Sequence, residues 1–205
     1  MKKKQLEMFL QQTPNFPHPQ PSLEQYQTPA SIASDVLFFA YQHYDLQGKN
    51  VVDLGCGTGI FSFGAAVLEA KEVIGIDKDP ECITIAQDFA QQHNLKITFL
   101  VQDILESKFS ADTVLMNPPF GAQKENIHAD QLFLQKAIEQ ASVVYSLHLS
   151  KTVPYLKKFI EQLNGTIDNL FEVAFPLKAQ FDFHKKLVET VPVSCLRIIG
   201  SSAEE

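Results

Sequence analysis

The amino-acid sequence predicts an α/β fold with a doubly wound, mostly parallel sheet of seven strands that ends in an antiparallel C-terminal pair. Between Asn50 and Leu163, short β-branched runs alternate with helical segments, a pattern that is typical of a parallel sheet with helices on both faces. After Gly165, two strand-like runs over 167–175 and 188–199 follow each other with no long helix between them. These two runs predict the antiparallel pair.

The individual elements follow from the same patterns. Four prolines from Pro14 to Pro21 predict an extended strap over 13–27. Thr28 and Pro29 are typical of an N-cap and a first helical residue, so we expect a helix to begin there. The remaining strands are expected at 51–54, 73–76, 97–101, 113–116 and 143–147, and the remaining helices at 60–70, 80–93, 130–140 and 153–163.

Length and charge limit the classes of function. A chain of 205 residues is long enough for one α/β domain with a substantial core, so we expect an N-terminal segment with the strap over 1–27 and one domain over 28–205. The net charge is −7, with a pI near 5.4. This acidity argues against broad, sequence-independent binding to nucleic acid, because attraction to phosphate needs clustered cations. An RNA substrate would need a local basic patch or a partner protein.

Neither export, membrane insertion nor a metal site is expected. Residues 5–12 lack the apolar core of a signal peptide, and no run approaches the length of a membrane span. The cysteines Cys56, Cys82 and Cys195 are widely spaced and lack the paired spacing of a zinc site. We therefore expect a cytoplasmic protein with no metal in this chain.

A glycine-rich turn follows the first expected strand and precedes a helix, which is the context of a nucleotide-binding loop. Asp77 closes the second strand, where a carboxylate can accept both hydrogens of a ribose diol. Asp103 follows the third strand and could contact the amine of an adenine ring. The alternative is a tight turn without a ligand, with Asp77 as the cap of the helix that begins near Pro80.

The spacing within this turn, which contains Gly55, Gly57 and Gly59, distinguishes between cofactors. The dinucleotide fingerprint places its third glycine three positions after the second, whereas here only Thr58 separates the last two. Asp53, just before the turn, suits a cofactor with a cationic amino-acid end. Both features resemble the first motif of class I methyltransferases, and that resemblance implies S-adenosylmethionine as the cofactor. A nicotinamide-dependent dehydrogenase is the competing interpretation.

The motif Asn117-Pro118-Pro119-Phe120 comes directly after the fourth strand, at the ligand-binding edge of the expected sheet. The prolines remove two backbone donors and stiffen the turn. The Asn117 side-chain oxygen and the Pro118 carbonyl can both accept from one NH₂ group, and Phe120 offers a face on which a flat ring can stack. We therefore assign these four residues to catalysis on a planar amine; the alternative is a rigid loop that only stiffens the sheet edge.

Several segments together resemble the methyltransferase-like-five family and its archaeal relatives, which are class I S-adenosylmethionine-dependent methyltransferases with a Rossmann-like fold. The match runs from Leu23 to Ile199. The resemblance implies N6-methylation of one adenosine in small-subunit ribosomal RNA, assisted by a small zinc-binding activator protein. The segments that carry it are Leu23 to Thr28, Asp53 to Gly59, Met116 to Gly121, Val144 to His148 and Phe183 to Lys186.

The same resemblance implies a set of contacts with S-adenosylmethionine. The amino-acid end of the cofactor would meet Gln25 and Thr28, and Gly55, Thr58 and Ile60 would lie along its length. The ribose would be held by Asp77, and the adenine by Asp103 and Ile104. The expected set is completed by Tyr26, Asp53 and Gly57. Eukaryotic members have a cysteine in place of Thr58, and we expect that change to be tolerated because a backbone contact would survive it.

A basic segment near the C-terminus is the candidate RNA contact. Its cations lie beside Phe181 and Phe183, so cations alternate with aromatic rings in an otherwise acidic chain. A charged loop between two strands is commonplace, but the resemblance favours RNA binding. The residues assigned to this contact are Lys178, His184, Lys185 and Lys186.

Two other functions remain open. A protein glutamine N5-methyltransferase also acts on a planar amide, although such enzymes usually carry Tyr where Phe120 stands and have an added N-terminal helical domain. A non-catalytic RNA-binding assembly factor could retain the same fold. Among the other polar residues, we expect His148 to be a satisfied structural residue, Tyr145 to lie in the core and Cys56 to be inert.

Overall fold

The computed structural model describes residues 1–121, 128–178 and 188–200. Within them, seven strands form one sheet in the order β3-β2-β1-β4-β5-β7-β6. The strands are β1 (Asn50–Leu54), β2 (Glu72–Asp77), β3 (Thr98–Val101), β4 (Ala111–Met116), β5 (Ala141–Leu149), β6 (Thr166–Lys178) and β7 (Val188–Ile199). Strands β1 to β5 are parallel to one another, and β7 runs antiparallel to both β5 and β6. The predicted sheet is therefore confirmed.

The helices of the described residues cover both faces of the sheet. They are α1 (Lys3–Leu10), α2 (Ala30–Gln42), α3 (Ile60–Val67), α4 (Pro80–Gln92), α5 (Ala129–Gln140) and α6 (Val153–Gln162). Along β1, Val51 belongs to a core that contains α1, α2 and α3 residues, whereas its neighbour Val52 belongs to a core with α5 and α6 residues. Successive strand residues point to opposite faces, so an almost continuous apolar strand supplies both cores. None of these helices is long and apolar enough to cross a membrane.

Helix α1 was not anticipated from the sequence. Leu6 and Leu10 are spaced by one turn and are fully buried in the core that also contains α2 and α3 residues. Lys3 forms an ion pair with Asp35 on α2. The residues before the strap are thus packed into the same core as the rest of the chain.

The strap and the start of α2 depart from expectation in detail. The strap is extended as predicted except for a short 3₁₀ turn over Pro21–Leu23. Helix α2 begins at Ala30, with Pro29 as its N-cap and no side-chain cap. The prediction that Thr28 caps this helix is therefore wrong, because its hydroxyl has another partner in the site described below.

Candidate active site

A cavity of about 300 Å³ opens at the edge of the sheet where β1, β2, β3 and β4 end. This volume is at the lower end of the range of small-molecule sites. The cavity is lined by all eleven positions expected to bind the cofactor, together with Asn117 and Pro119. The eleven are Gln25, Tyr26, Thr28, Asp53, Gly55, Gly57, Thr58, Ile60, Asp77, Asp103 and Ile104. Residues that are distant in sequence thus share one concave surface.

The turn after β1 depends on three glycines with positive φ, which are Gly55 at 73°, Gly57 at 52° and Gly59 at 94°. Residues with a side chain rarely adopt this conformation. A Cβ on Gly55 would also lie 2.8 Å from the ring of Phe133, and one on Gly57 would lie 2.7 Å from the ring of Phe16. The glycines therefore allow two aromatic rings to close upon the turn and form walls of the cavity.

Asp77 joins the end of β2 to the glycine turn. Its Oδ2 accepts the backbone N–H of Gly57 at 2.8 Å, and its Oδ1 accepts that of Asp79 at 2.9 Å. Helix α4 is capped by Asp79, whose Oδ1 accepts the N–H of Glu81 at 2.9 Å. The alternative role of Asp77 as helix cap is therefore wrong. Burial raises the pKa of Asp77, and its oxygens keep lone pairs that a ligand hydroxyl can use.

Asp53 is almost completely buried beneath the glycine turn. Its Oδ2 accepts hydrogen bonds from the backbone N–H of Ser62 at 2.8 Å and from the Ser62 hydroxyl at 2.6 Å. Burial raises the pKa of Asp53 to about 7 even though these bonds favour the charged form. A poorly hydrated carboxylate attracts a cation in the same cavity strongly. Asp53 therefore suits a ligand that carries an ammonium group.

The strap crosses the glycine turn and is fastened to it by side chains. Thr58 Oγ1 donates to the carbonyl oxygen of Pro14 at 2.8 Å, and Gln27 Nε2 donates to the same oxygen at 3.3 Å. The hydroxyl of Thr58 thus has a structural role besides any backbone contact with a ligand. A thiol at this position would be a weaker donor to Pro14.

Gln25 fastens the other end of the strap. Its Nε2 donates to Asp79 Oδ2 at 2.7 Å, and its Oε1 accepts the backbone N–H of Gln20 at 2.8 Å. Gln20 Nε2 donates to the same Asp79 oxygen at 3.1 Å. The amide of Gln25 therefore ties the strap to the start of α4, close to Asp77, while the residue also lines the cavity.

Asn117 begins the turn after β4, and of the two polar atoms of its side chain only one has a hydrogen-bond partner among the described residues. Its Nδ2 donates to Thr28 Oγ1 at 3.0 Å. Its Oδ1 is buried and has no hydrogen-bond partner among the residues that the structure describes. Leaving a buried acceptor unpaired costs roughly 1–3 kcal/mol, so an NH₂ group that reached this oxygen would remove a penalty as well as form a bond.

The rest of the predicted catalytic motif is distributed around this point. Pro119 lines the cavity, whereas Pro118 is buried and Phe120 is half-buried outside the lining. The ring of Phe120 packs edge-to-face against fully buried Phe175 of β6, with 5.9 Å between ring centroids. The antiparallel C-terminal strands therefore support the acceptor turn from behind.

Part of the cavity wall was not predicted. The prolines of the strap predicted its extended path, but no sequence signal predicted that it contacts the glycine turn. The position of α5 could have been predicted, because a helix that follows β4 in a parallel sheet begins near the end of that strand. The lining residues absent from the prediction include Phe16, Leu23, Glu24, Gln27, Leu105, Leu132 and Phe133. These additions make the wall largely aromatic and aliphatic.

The predicted RNA contact lies outside the described residues. His184, Lys185 and Lys186 fall between the two described parts of the C-terminal strands. Lys178 is the last residue of β6, and its side chain is likewise not described. Their assignment to RNA binding stays a prediction.

Three residues outside the proposed chemistry are as expected. Burial raises the pKa of the Cys56 thiol well above its usual range, which keeps it unreactive. Tyr145 is fully buried, and its hydroxyl donates to Asp45 Oδ2 at 2.5 Å. His148 is also buried, with Nε2 2.6 Å from Ser146 Oγ, and burial lowers its pKa to about 3. These environments are those of structural residues.

Comparison with known proteins places the chain in a family. The methyltransferase small domain matches residues 30–146. METTL5 of Danio rerio, named an rRNA N(6)-adenosine-methyltransferase, is 39% identical over 96% of this chain and 98% of its own length. An uncharacterised protein of Methanocaldococcus jannaschii is 40% identical over 97% of this chain and 94% of its own. The crystal structure of a candidate RNA methyltransferase from Pyrococcus horikoshii covers 98% of both chains, with a TM-score of 0.90 and 36% identity. The chain therefore belongs to the methyltransferase small domain family, in the group that includes METTL5.

Proposed function

We propose that this protein transfers a methyl group from S-adenosylmethionine to the N6 amine of an adenosine in small-subunit ribosomal RNA. The observation that carries the proposal is the buried Oδ1 of Asn117, which has no partner among the described residues and belongs to a residue of the cavity wall. An exocyclic amine can donate one hydrogen to this oxygen and the other to a second acceptor, whereas a ribose hydroxyl has only one hydrogen to donate and a ring carbon has none. Membership of the METTL5 group supports RNA as the substrate class.

The residues of the cavity fit the proposed cofactor at three separate points. The carboxylate of Asp77 can accept from ribose hydroxyls, and that of Asp103 from an adenine amine. Asp53 lies beneath the glycine turn, where it can pair with the ammonium of the amino-acid end. When bound, S-adenosylmethionine supplies an electrophilic methyl group on a sulfonium. No described residue of the wall has to act on that methyl group directly.

Catalysis by this chain is then a matter of positioning and electrostatics. Asn117 Oδ1 accepts one hydrogen of the amine, and we assign the second to the carbonyl oxygen of Pro118. Two acceptors draw the nitrogen toward tetrahedral geometry and expose its lone pair. We assign stacking on the adenine ring to Phe120, which follows the lining residue Pro119 and is held in place by Phe175. A preorganised polar group of this kind contributes about 3–4 kcal/mol to catalysis. No strong base is needed before transfer, because the amine reacts through its lone pair and its surplus proton passes to water once the new C–N bond has replaced the methyl–sulfur bond.

The proposal is tested by incubating the protein with tritiated S-adenosylmethionine and separated ribosomal RNAs, followed by nucleoside analysis. We expect the label in N6-methyladenosine from the small-subunit RNA and not from the large-subunit RNA. Label in a ribose 2′-O-methyl group, in a ring-carbon methyl or in a protein glutamine, with none in N6-methyladenosine, would contradict it. Cofactor binding without turnover on any RNA would indicate an assembly factor, and affinity for NADH would indicate a dehydrogenase.

The second part of the proposal is a partner, a small zinc-binding activator that adds a strand to the sheet. Strand β3 is one edge of the sheet, and its last two residues, Leu100 and Val101, are 40% and 55% exposed. Leu105 just beyond it is 52% exposed. Exposed apolar residues on an unpaired edge are typical of strand addition, which would cover them and could bring cations to an acidic chain. The free cysteines suit a reducing cytoplasm, where we place the protein.

Charge substitution at the edge tests this partner. Leu100→Lys with Val101→Lys should abolish co-purification with a candidate zinc-binding activator and the stimulation of RNA methylation by it. Leu170→Lys on β6, the opposite edge, is the matched control because Leu170 is also about half-exposed. An isolated chain that is soluble, monomeric and fully active on RNA would show that no activator is needed.

A further inference from the structure

The surface formed by the turn after β5 and the first two turns of α6 carries cations near the cavity. Lys151, Lys157 and Lys158 are exposed, and none forms an ion pair with a residue that the structure describes. Between Glu139 and Glu161 the sequence contains no acidic residue. In a chain of net charge −7, this stretch is locally positive.

The topology brings this surface to the acceptor side of the cavity. Strands β4 and β5 are parallel, with Met116 paired to Ser146, so both run toward the edge where Asn117 begins the acceptor turn. The segment that follows β5 begins at this same edge and leads into α6. Lys151 therefore lies at the end of the sheet that holds the cavity.

A tyrosine connects the cationic surface to the cavity wall. Tyr155 is 55% exposed, and its hydroxyl donates to Gln131 Oε1 on α5 at 3.2 Å. Gln131 stands between Ala129 and Leu132 in sequence, and both of these residues line the cavity. The exposed aromatic ring is thus bonded to the first turn of α5, and that turn contributes Ala129 and Leu132 to the cavity wall.

Tyr155 and Lys158 are three residues apart on α6, so they share one face of the helix, and Lys151 lies in the 3₁₀ turn over Ser150–Thr152 that leads into α6. Leu156 and Ile160 lie on the buried side of the same helix. A flat ring flanked by cations is the arrangement that binds single-stranded nucleic acid, because the ring stacks on a base while the ammonium groups contact phosphates. An adenosine whose amine is methylated must leave its stack, so its neighbours are held as a single strand.

We propose that Lys151, Tyr155 and Lys158 bind the single-stranded RNA next to the target adenosine, the lysines on its phosphates and Tyr155 on a flanking base. This rests on the proposed function, because it names the surface over which the substrate of that site runs. It is distinct from the basic segment near the C-terminus. Lys157 projects from a different side of the helix and is not required.

The test compares RNA binding of Lys151→Gln/Lys158→Gln with that of Lys71→Gln/Lys96→Gln, measured with a short adenine-containing single-stranded RNA over a series of KCl concentrations. Lys71 and Lys96 are also exposed, but they precede β2 and β3. They therefore lie at the amino ends of the parallel strands, whereas the cavity lies at the carboxyl ends. Each phosphate contact on a single strand contributes about 0.7 to the slope of log affinity against log salt, so the first variant should lose about 1.4 in slope. At about 0.1 M KCl this corresponds to roughly 25-fold weaker binding.

Tyr155 has its own signature. Tyr155→Ala should raise the RNA concentration for half-maximal methylation about tenfold without changing the salt slope, because stacking is not ionic. Tyr155→Phe should restore it, since the ring is kept and only the bond to Gln131 is lost. Affinity for S-adenosylmethionine and the rate at saturating RNA should be unchanged in all four variants.

The outcomes separate this inference from the proposed function. Suppose that the two double lysine variants show equal slopes of log RNA affinity against log salt, and that the wild-type protein forms N6-methyladenosine. The proposed RNA-binding surface is then refuted, and the proposed function stands. If the slopes differ as expected but the label appears in another product, the surface stands and the assigned chemistry fails. A wild-type chain that binds RNA without salt dependence would overturn the surface outright.

Discussion

Thr28 Oγ1 accepts a hydrogen bond from Asn117 Nδ2 at 3.0 Å, across 89 residues of sequence. The bond joins the end of the strap, two residues before α2, to the turn that follows β4, and both residues line the cavity. The NH₂ group and the oxygen of the Asn117 side chain are bonded to the same carbon atom. Because the NH₂ group donates to Thr28, the direction in which the oxygen points is fixed as well. Thr28 is therefore a positioning residue for the proposed acceptor.

Thr28→Val should weaken catalysis by releasing the Asn117 amide. The substitution keeps the shape of the side chain but removes the hydroxyl, at a cost of about 1 kcal/mol in the barrier, or roughly fivefold in kcat. Thr28→Ser should recover most of the rate because it restores the hydroxyl. The measurement is steady-state methylation of RNA at saturating S-adenosylmethionine, and a Val variant as active as the wild type would contradict the role.

Asn117→Ala should nearly abolish transfer while leaving cofactor affinity close to that of the wild type. Losing one of two preorganised acceptors should cost about 3–4 kcal/mol, or ~10²–10³ in kcat. Phe120→Ala should lower kcat less and also raise the KM for RNA, because it removes a stacking surface. Calorimetry with S-adenosylmethionine and RNA-dependent kinetics distinguish the two. Equal loss of cofactor affinity in both variants would mean that the turn has been misassigned.

Asp77→Ala should weaken S-adenosylmethionine binding, because it removes paired hydrogen bonds to the ribose, by about 2–4 kcal/mol in a dry site. The substitution also removes the acceptor for the Gly57 N–H, so a thermal melt should accompany the titration. Asp88→Ala, at an exposed position on α4, is the control and should leave affinity unchanged. Unchanged affinity in a folded Asp77 variant would refute the assignment.

Cofactor affinity should fall as the pH is lowered through about 7, the pKa to which burial raises Asp53. Below that pH the free protein carries a neutral carboxyl, which cannot pair with an ammonium, so binding must release a proton. Affinity should also decline above about pH 8, where an α-amino group loses its charge. Calorimetry across this range tests the acidic limb. The Asp53→Asn variant should bind the cofactor weakly, and its affinity should not fall further as the pH is lowered through about 7. If the fall persisted in this variant, it would have to come from a group other than Asp53.

The sequence by itself determined the alternating strands and helices, the antiparallel C-terminal pair and the edge at which ligands bind. These features are local or follow from chain order: β-branched runs form strands, and the residues after parallel strands meet at one edge. The positions of Asp53, Asp77, Asp103 and Asn117 were predictable for that reason. Asp53 is the penultimate residue of β1, Asp77 ends β2, and the other two lie within two residues of the ends of β3 and β4.

Tertiary structure alone decided what surrounds those positions. Helix α1 is short and would be marginal in isolation, so its existence depends on burying Leu6 and Leu10. Thr28 has the sequence of a helix cap, but its hydroxyl oxygen accepts no bond from the N–H groups of α2. It accepts from Asn117 instead, a partner remote in sequence that no local pattern reveals. The sequence also left open whether Asp77 caps α4 or faces the cavity. In the structure Asp77 accepts the N–H of Gly57 at the cavity, and Asp79 caps the helix. Contacts across long sequence separations depend on how the elements pack, and packing is not encoded in any single segment.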